Sequence, residues 1–320
     1  MYIVHNPMIG SDNTGDEIIM KSIDSQMDCL SLSGQRIDIP SHYYQGRLGR
    51  KYQKDAAFTI AAGSNMLGFQ GYLRRQWKVS DLDLIFGKNK TLLFGVGWQS
   101  YHTRAGLFNK ISLRRLLDID GPHSVRDQFT ADKLHSLGFS NVYNTGCPTM
   151  WELGGVQEKI NLNKRSQRVI YTITNYNKDI SREVGWLTKL RNFYKELIFW
   201  PQSFEDVAYH EEIEQNIELK PTKLECNLAS FEAELLKGDL DYIGTRLHAG
   251  VFAMQKGNNA LINAIDNRAY EISKDTNLPI FNFTNLEAID KFALRDTVLS
   301  LNLDHSTILK FQEAFRLHVT

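Results

Sequence analysis

Short apolar runs alternate with longer amphipathic stretches along the chain, and this alternation predicts a parallel α/β fold. Runs rich in β-branched and aromatic residues are typical of buried strands, whereas apolar residues spaced three and four apart are typical of helices. The predicted strands are residues 2–5, 56–62, 91–97, 141–145, 169–173, 196–200, 240–244 and 260–265. The predicted helices include residues 16–27, 127–137, 246–256 and 306–317. Because the two kinds of element alternate, we expect parallel sheets covered by helices on both faces.

A polar and basic stretch at residues 154–168 divides this pattern into two halves. We interpret it as a linker between an N-terminal Rossmann-like domain, residues 1–153, and a C-terminal one, residues 169–303. A terminal helix occupies residues 304–320. Dividing the 320 residues by roughly 150 residues per domain also gives about two domains. The predicted fold class is therefore α/β, with two doubly wound domains facing a cleft, where ligands bind beyond the carboxyl ends of the strands.

Composition and charge narrow the class of protein. The 37 Lys and Arg residues balance the 37 Asp and Glu residues, so no broad basic field favours nucleic acid as a partner. Cys29, Cys147 and Cys226 are far apart, which excludes a zinc motif or a disulfide framework and suits a reducing compartment. The start of the chain does not resemble a signal peptide, and no apolar stretch is long enough to span a bilayer. These features predict a cytoplasmic protein, and peripheral contact with a membrane stays open.

The segment from Asp241 to Gly250 is the strongest candidate for chemistry, because it joins a predicted strand to a predicted helix. Thr245 is suited to cap the helix, which places Arg246 and His248 in its first turn. Backbone N–H groups and the helix dipole favour an anion there. The Arg246 guanidinium can form two parallel hydrogen bonds to a phosphate or carboxylate, and a histidine such as His248 is able to titrate near neutral pH. In the structural alternative, Arg246 pairs with Asp241 or Asp239, and His248 fills the gap between helix and sheet.

Two further arginines follow predicted strands. Arg126 precedes Asp127, a natural helix cap, so Arg126 is either an anion ligand or the partner of Asp127. Arg268 follows the strand that ends at residue 265 and would add a cation near Arg246, unless it is a solvated loop residue.

Small and polar residues follow other predicted strands. The loop from Gly10 to Glu17 can turn tightly before the first helix, and its Asp16 could serve as a base for a sugar hydroxyl or favour the helix start through the dipole. Asn65 ends a Gly-Ser-Asn segment where a ligand can approach the backbone. Gln202 and Asp206 follow the strand at 196–200, although Asp206 could equally start the next helix.

The segments described above, together with their order along the chain, resemble those of the polysaccharide pyruvyl transferase family. The most specific match is the Arg-Leu-His segment at residues 246–248. The matching segments are Asn13–Glu17, Ala62–Asn65, Gly95–Gly97, Ser124–Asp127 and Asp241–Ala249. One segment departs from the family, because Asp266–Tyr270 stands where many members have a Tyr-x-x-Lys-like segment, and Arg268 could replace the charge of that lysine.

The resemblance implies a GT-B-like fold and a ketal-forming pyruvyltransferase with phosphoenolpyruvate as donor. The acceptor would be a sugar of a cell-surface polysaccharide, capsule or cell-wall glycan, or its lipid-linked precursor, and phosphate would be released. The resemblance implies donor binding by Arg246, Arg126, Thr245 and Arg268. It implies an acceptor side formed by Asn13, Gly15, Asn65 and Gln202. It implies that His248 is the general acid or a phosphate ligand, and that Asp16 is a base or an acceptor ligand. It implies no metal and no cofactor besides the co-substrate.

Other interpretations of the same residues stay open. A GT-B-type glycosyltransferase would hold a nucleotide-sugar diphosphate with the same cations and bind its ribose with Glu271 or Asp275. A non-catalytic glycan-binding protein is a third interpretation. A lipid-linked acceptor would bring the protein to the inner face of the membrane. On the pyruvyl transferase interpretation, Arg246→Ala should weaken donor binding and leave the fold intact.

Overall fold

The computed structural model describes residues 1–68, 77–86, 90–101, 106–155, 165–296 and 299–320 of the chain, with the side chains of residues 85, 86 and 155 left out. The chain divides into two compact units. Unit 1 comprises Met1–Ser11, Ile19–Trp151 and Leu303–Thr320, and unit 2 comprises Asp12–Ile18 and Glu152–Asn302.

These units differ from the predicted domains in two segments. Residues 12–18 belong to unit 2, although they lie near the start of the chain, and the terminal helix belongs to unit 1. Most of the predicted linker at 154–168 lies outside the described residues. None of the described helices combines the length and the apolar character that crossing a bilayer requires.

Unit 1 is built on parallel strands in the order β2–β1–β3–β4. The strands are β1 (Tyr2–Asn6), β2 (Arg36–Pro40), β3 (Thr59–Ala62), β4 (Thr91–Phe94), β5 (His123–Val125) and β6 (Val142–Asn144). The parallel pair β5–β6 continues from β4 through a bridge between Val96 and Val125. The helices are α1 (Thr14–Leu30), whose residues 14–18 belong to unit 2, α2 (Gly46–Asp55), α3 (Asp81–Phe86), α4 (Leu107–Leu116) and α5 (Gln128–Ser136). A 3-10 turn at Pro148–Gly155 begins in unit 1 and ends in unit 2.

Alternating strand residues bury the two faces of this sheet under different helices. On one face, Leu92 and Phe94 pack with the later turns of α1 and with the terminal helix α12 (His305–Val319). Phe311 and Phe315 of α12 lie 5.3 and 5.8 Å from the Phe94 ring. On the other face, Leu93 packs with α4 and α5. The terminal helix is therefore part of the core of unit 1.

Unit 2 contains a parallel sheet in the order β12–β11–β10–β7–β8–β9. Its strands are β7 (Arg168–Thr172), β8 (Glu196–Phe199), β9 (Thr222–Lys223), β10 (Leu240–Gly244), β11 (Asn259–Asn263) and β12 (Ile280–Phe281). Its helices are α6 (Ile180–Phe193), α7 (Phe204–Glu214), α8 (Leu228–Leu235), α9 (Leu247–Gln255), α10 (Asn267–Thr276) and α11 (Glu287–Leu294), with a 3-10 turn at Asn175–Asn177.

Close packing holds α9 against this sheet. A Cβ on Gly250 of α9 would lie 2.0 Å from Ile262 Cδ1 of β11 and 2.9 Å from the Tyr242 ring of β10, so only glycine permits this approach. On the opposite face, Tyr171 of β7 packs with Trp186 of α6 in the larger apolar cluster. Helices thus cover both faces, as the sequence predicts, and they fix the start of α9 at the carboxyl edge of β10.

A buried carboxyl group makes the stability of unit 2 depend on pH. Glu183 of α6 is 1% exposed, and burial raises its pKa to about 7 although Trp186 Nε1 donates a hydrogen bond to it. In the unfolded chain this pKa returns to 4.5, so the unfolded state binds fewer protons between about pH 4.5 and pH 7. Glu183 therefore lowers the free energy of unfolding as pH rises through this window.

We expect Glu183→Gln to stabilise the protein more at pH 8 than at pH 4.5, by roughly 2–3 kcal/mol, because the amide carries no charge to bury. Urea unfolding of the wild type and the variant at the two pH values measures this difference. The contributions of all other titrating groups are the same in both proteins and cancel. Glu211→Gln, at an exposed position of α7, is the control and should show no such dependence. Equal stabilisation by Glu183→Gln at the two pH values would contradict a protonated Glu183.

Candidate active site

The start of α9 differs by one residue from the predicted cap. Arg246, not Thr245, is the N-cap residue, and its side chain makes no capping hydrogen bond. The predicted capping role of Thr245 is wrong, because its hydroxyl is 2.8 Å from the Thr174 hydroxyl instead. The N-cap side chain therefore satisfies none of the first N–H groups of α9, and the helix dipole favours an anion at this helix start. His248 is the second residue of α9 and is half-buried.

Arg246 is held by Asp206, which the sequence placed near the same edge of the sheet. Arg246 Nη2 donates to both carboxylate oxygens of Asp206 at 2.6 Å, and Nε donates to the Ile173 carbonyl at 3.2 Å. Asp206 is fully buried and also accepts from the backbone N–H groups of Asn175 and Gln202. Ser203, not Asp206, caps α7, so the carboxylate of Asp206 is available to orient the guanidinium.

The alternative pairing of Arg246 with Asp241 is wrong. Asp241 is fully buried and accepts from Arg295 Nη1 and Nη2 at 3.0 and 2.8 Å, and from the Tyr194 hydroxyl at 2.7 Å. The pair of Arg246 with Asp206 also revises the expectation that Arg246→Ala leaves the fold intact. The arginine is only 9% exposed, and its loss would leave a buried carboxylate without its cation.

Tyr176 joins Arg246 to Arg268. The guanidinium carbons of the two arginines lie 5.7 and 6.0 Å from the Tyr176 ring centre, and Arg268 Nη2 also donates to the Tyr176 hydroxyl. Arg268 forms an ion pair with Asp266, the N-cap of α10. Arg268 is therefore near Arg246, as predicted, but Asp266 compensates its charge. Residue patterning does not single out Tyr176, whose signal is its place three residues after Ile173, where the apolar run ends.

The first loop meets Gln202 within unit 2. The Thr14 N–H and hydroxyl both donate to the Gln202 carbonyl, at 3.0 and 2.8 Å. Asn13 Oδ1 accepts from the Gly15 N–H at 3.1 Å, and a Cβ on Gly15 would lie 3.1 Å from Gln202 Oε1. The structure thus brings together the predicted Asn13, Gly15 and Gln202, with Asp16 buried in the same segment.

Two buried amides near this edge have polar atoms without a protein partner among the described residues. They are Nε2 of Gln202, which is 2% exposed, and both side-chain polar atoms of Asn263, which is fully buried at the end of β11. Native proteins leave few such atoms unsatisfied, so each position suits a polar group of a ligand or a water molecule. The sequence analysis missed Asn263, because it is embedded in an apolar run.

Buried groups around the arginine remain protonated. Burial raises the pKa of the Tyr242 phenol, whose hydroxyl donates to the Arg246 carbonyl at 2.8 Å and keeps this turn in place. Burial also raises the pKa of the Cys226 thiol, which favours the unreactive thiol over the thiolate. Within the described ranges, no three His, Cys, Asp or Glu side chains converge as metal ligands. The two arginines at this edge, Arg246 and Arg268, suit an anionic ligand.

Unit 1 holds the remaining predicted residues, Arg126 and Asn65. Arg126 Nε donates to Asp127 Oδ2 at 3.1 Å, and Asp127 caps α5 through the Thr130 N–H, as predicted. Arg126 Nη2 and Asn65 Oδ1 are both buried and have no partner in the described part of the chain. The Arg126 guanidinium lies against Gly97, whose N–H donates to the carbonyl of Ser64, the residue before Asn65, so a second polar position lies at the carboxyl edge of β4.

Gly97 leaves the space that the Arg126 side chain occupies. A Cβ at this position would lie 2.2 Å from Arg126 Cζ. The Arg126 side chain is only 2% exposed. We expect Gly97→Ala to displace the guanidinium and to lower the free energy of unfolding by about 1–3 kcal/mol. Urea unfolding measures the change.

Gly185→Ala in α6 is the control, because a Cβ there meets no atom within 4 Å. This change should raise stability by about 0.5–1 kcal/mol, since alanine favours helix. A Gly97→Ala protein as stable as the wild type would contradict the tight packing of Arg126.

A family model described as polysaccharide pyruvyl transferase matches residues 13–260. The matched range includes Asn13–Glu17 of the first loop, Arg126 and the Arg246–His248 segment. No curated protein sequence matches the chain significantly.

A solved structure with low sequence identity shares the fold. The Methanocaldococcus jannaschii UDP-GlcNAc 2-epimerase, in complex with UDP-GlcNAc and UDP, has a TM-score of 0.55 and 10% identity, covering 99% of this chain and 97% of that chain. The wall teichoic acid polymerase TagF has a TM-score of 0.39 and 11% identity, covering 99% of this chain and 82% of that chain. The epimerase likeness concerns the fold alone, and it confirms the predicted α/β class with parallel sheets of the GT-B type.

Proposed function

The chain belongs to the polysaccharide pyruvyl transferase family, and on this premise we propose that it transfers pyruvate from phosphoenolpyruvate to a sugar of a cell-surface glycan. The product is a pyruvate ketal across two sugar hydroxyls, and inorganic phosphate leaves. The acceptor is the glycan itself or a lipid-linked precursor. The proposed reaction uses no metal and no cofactor besides the co-substrate.

The observation that carries this proposal is the oriented guanidinium of Arg246 at the uncapped start of α9. Asp206 and the Ile173 carbonyl hold Nη2 and Nε, which leaves Nη1 for a ligand. Phosphoenolpyruvate carries a phosphate and a carboxylate, and both anions suit an arginine at a helix start, where the helix dipole favours negative charge. Thr245 adds a hydroxyl at this edge, and Arg268 adds a second cation that Asp266 partly neutralises.

The proposed chemistry balances without a further reactant. A general acid donates a proton to the methylene carbon of phosphoenolpyruvate, and one sugar hydroxyl adds to the neighbouring carbon through a new C–O bond. The second hydroxyl then displaces the phosphate from that carbon. The two hydroxyl protons are accounted for, because one restores the acid and the other leaves on phosphate.

His248 is the proposed acid, because it lies two residues from Arg246 in the first turn of α9. Asp16 is the proposed base or acceptor ligand, since it is buried in the segment that meets Gln202. The acceptor side in unit 2 would be formed by Asn13, Gly15 and Gln202. Gln202 Nε2 has no partner among the described residues and would donate to a sugar hydroxyl. In unit 1, Arg126 offers a donor-binding group, and Asn65 offers an acceptor-side group.

A coupled assay tests the proposed reaction. The protein is incubated with phosphoenolpyruvate and a panel of oligosaccharide acceptors, both free and lipid-linked. We expect phosphate release together with a glycan mass gain of one pyruvate less one water, and a quaternary ketal carbon in the carbon NMR spectrum. Transfer of sugar from a nucleotide-sugar donor, with no pyruvylated product, would identify a glycosyltransferase and contradict the proposal.

A further inference from the structure

An exposed surface of unit 1 combines apolar and basic side chains around helix α2. Tyr43 and Tyr44, just before α2, are 56% and 58% exposed, and Leu48 in its first turn is 61% exposed. Arg47, Lys51 and Lys54 are also exposed on α2. We call these six residues the α2 surface. At 3.6 residues per turn, Arg47, Lys51 and Lys54 lie on one side of the helix, and Leu48 lies at the edge of that side.

The charge of this surface contrasts with the rest of the chain. The ten residues of α2 contain four Arg and Lys residues and one acidic residue, Asp55, at the end of the helix. The whole chain has a formal net charge of zero. The positive charge is therefore local and coincides with the exposed tyrosines and leucine.

Inward contacts fix the orientation of the α2 surface. Arg50 pairs with the buried Asp83 at 3.5 Å, and Tyr52 packs against the apolar cluster under β1 and β2. The Tyr43 hydroxyl donates to the Gly10 carbonyl at 3.0 Å. This contact places the loop with Met8, which is 43% exposed, beside the tyrosines. The outward side chains are therefore presented together.

We propose that the α2 surface binds the face of an anionic lipid bilayer. Cations clustered on an amphipathic helix are attracted to anionic headgroups, and tyrosines are enriched at the membrane interface. Leu48 and Met8 can enter the boundary between headgroups and acyl chains, where such a helix lies flat. Proteins bind nucleic acid through cations and through aromatic side chains that stack on the bases, and these aliphatic side chains would contribute to neither contact. The proposal is independent of the proposed reaction, because it concerns only where the protein sits.

Flotation with lipid vesicles tests this proposal without any measurement of activity. The probes are vesicles of phosphatidylcholine alone and of phosphatidylcholine with about a quarter phosphatidylglycerol. We expect the full chain to float with the anionic vesicles only, and to be released as salt rises from about 0.1 M to about 0.5 M. A soluble polyanion, poly-uridylate, is tested in parallel at the same salt.

Two matched pairs of variants locate the contact. Each cation near an anionic surface contributes about five-fold to partitioning, so Arg47→Gln/Lys51→Gln/Lys54→Gln should lower the partition coefficient about 100-fold. Lys195→Gln/Lys220→Gln/Lys291→Gln removes three exposed charges of unit 2 and should bind as the wild type does. Leu48→Ser should weaken binding about 10-fold. Leu309 on α12 is 64% exposed, and Leu309→Ser should leave vesicle binding unchanged.

Several results would overturn the proposal. They are failure to float with anionic vesicles, equal flotation with both kinds of vesicle, and equal losses from the α2 and unit 2 triple variants. Binding to poly-uridylate but not to vesicles would assign the surface to nucleic acid instead. Because all substituted side chains are exposed, thermal unfolding should be unchanged in every variant.

Discussion

Arg246→Ala should weaken phosphoenolpyruvate binding about 100-fold, because it removes charge-assisted hydrogen bonds to an anionic donor. The same change should also destabilise the protein by about 3–5 kcal/mol, since the fully buried Asp206 loses its cation. The single variant therefore mixes two effects. Calorimetric titration for binding and urea unfolding for stability measure them separately.

A double variant separates binding from folding. Arg246→Ala/Asp206→Asn removes both charges of the pair, so much of the lost stability should return while donor binding stays weak. Arg191→Ala, at an exposed position of α6, is the control for loss of one positive charge in unit 2. A double variant that binds the donor with wild-type affinity would contradict the anion-binding role of Arg246.

His248→Gln should lower kcat by about 100-fold or more and change donor affinity little, because a general acid acts in the transition state. Steady-state kinetics with phosphoenolpyruvate and an unmodified glycan acceptor measure kcat, and titration measures the dissociation constant. The side of the pH profile that requires a protonated acid should also disappear in this variant.

His305→Gln is the matched control, since His305 is exposed at the start of α12. It should leave kcat, affinity and the pH profile unchanged. Equal losses of kcat and donor affinity in His248→Gln would identify His248 as a phosphate ligand and exclude its role as the acid.

Much of the fold could be predicted from apolar patterning. The strand predicted at residues 240–244 coincides with β10, and the one at 169–173 differs from β7 by one residue at each end. These strands are buried on both faces, and most of their residues are apolar or aromatic. Patterning missed β2, whose Arg-Ile-Asp-Ile-Pro sequence belongs to a half-exposed edge strand, and α2, which is mostly basic and polar.

The candidate site was predictable only where the signal is local. The Arg-Leu-His segment and the Asp127 cap depend on neighbouring residues, so the sequence locates them. The pair of Arg246 with Asp206 joins residues 40 positions apart, and the Thr14 contact to Gln202 joins residues 188 apart. Such contacts depend on the order of strands in the sheet, which the pattern along the chain leaves open. The shift of the cap from Thr245 to Arg246 is a local error of one residue.

Titration calorimetry with phosphoenolpyruvate, beside a panel of nucleotide sugars, tests the proposed function most directly. It uses the wild-type protein and Arg246→Ala/Asp206→Asn, with and without a glycan acceptor. We expect the wild type to bind phosphoenolpyruvate and the double variant to lose this binding, with no response to nucleotide sugars. Binding of a nucleotide sugar by the wild type, with no binding of phosphoenolpyruvate in either condition, would contradict a pyruvyltransferase and favour a glycosyltransferase.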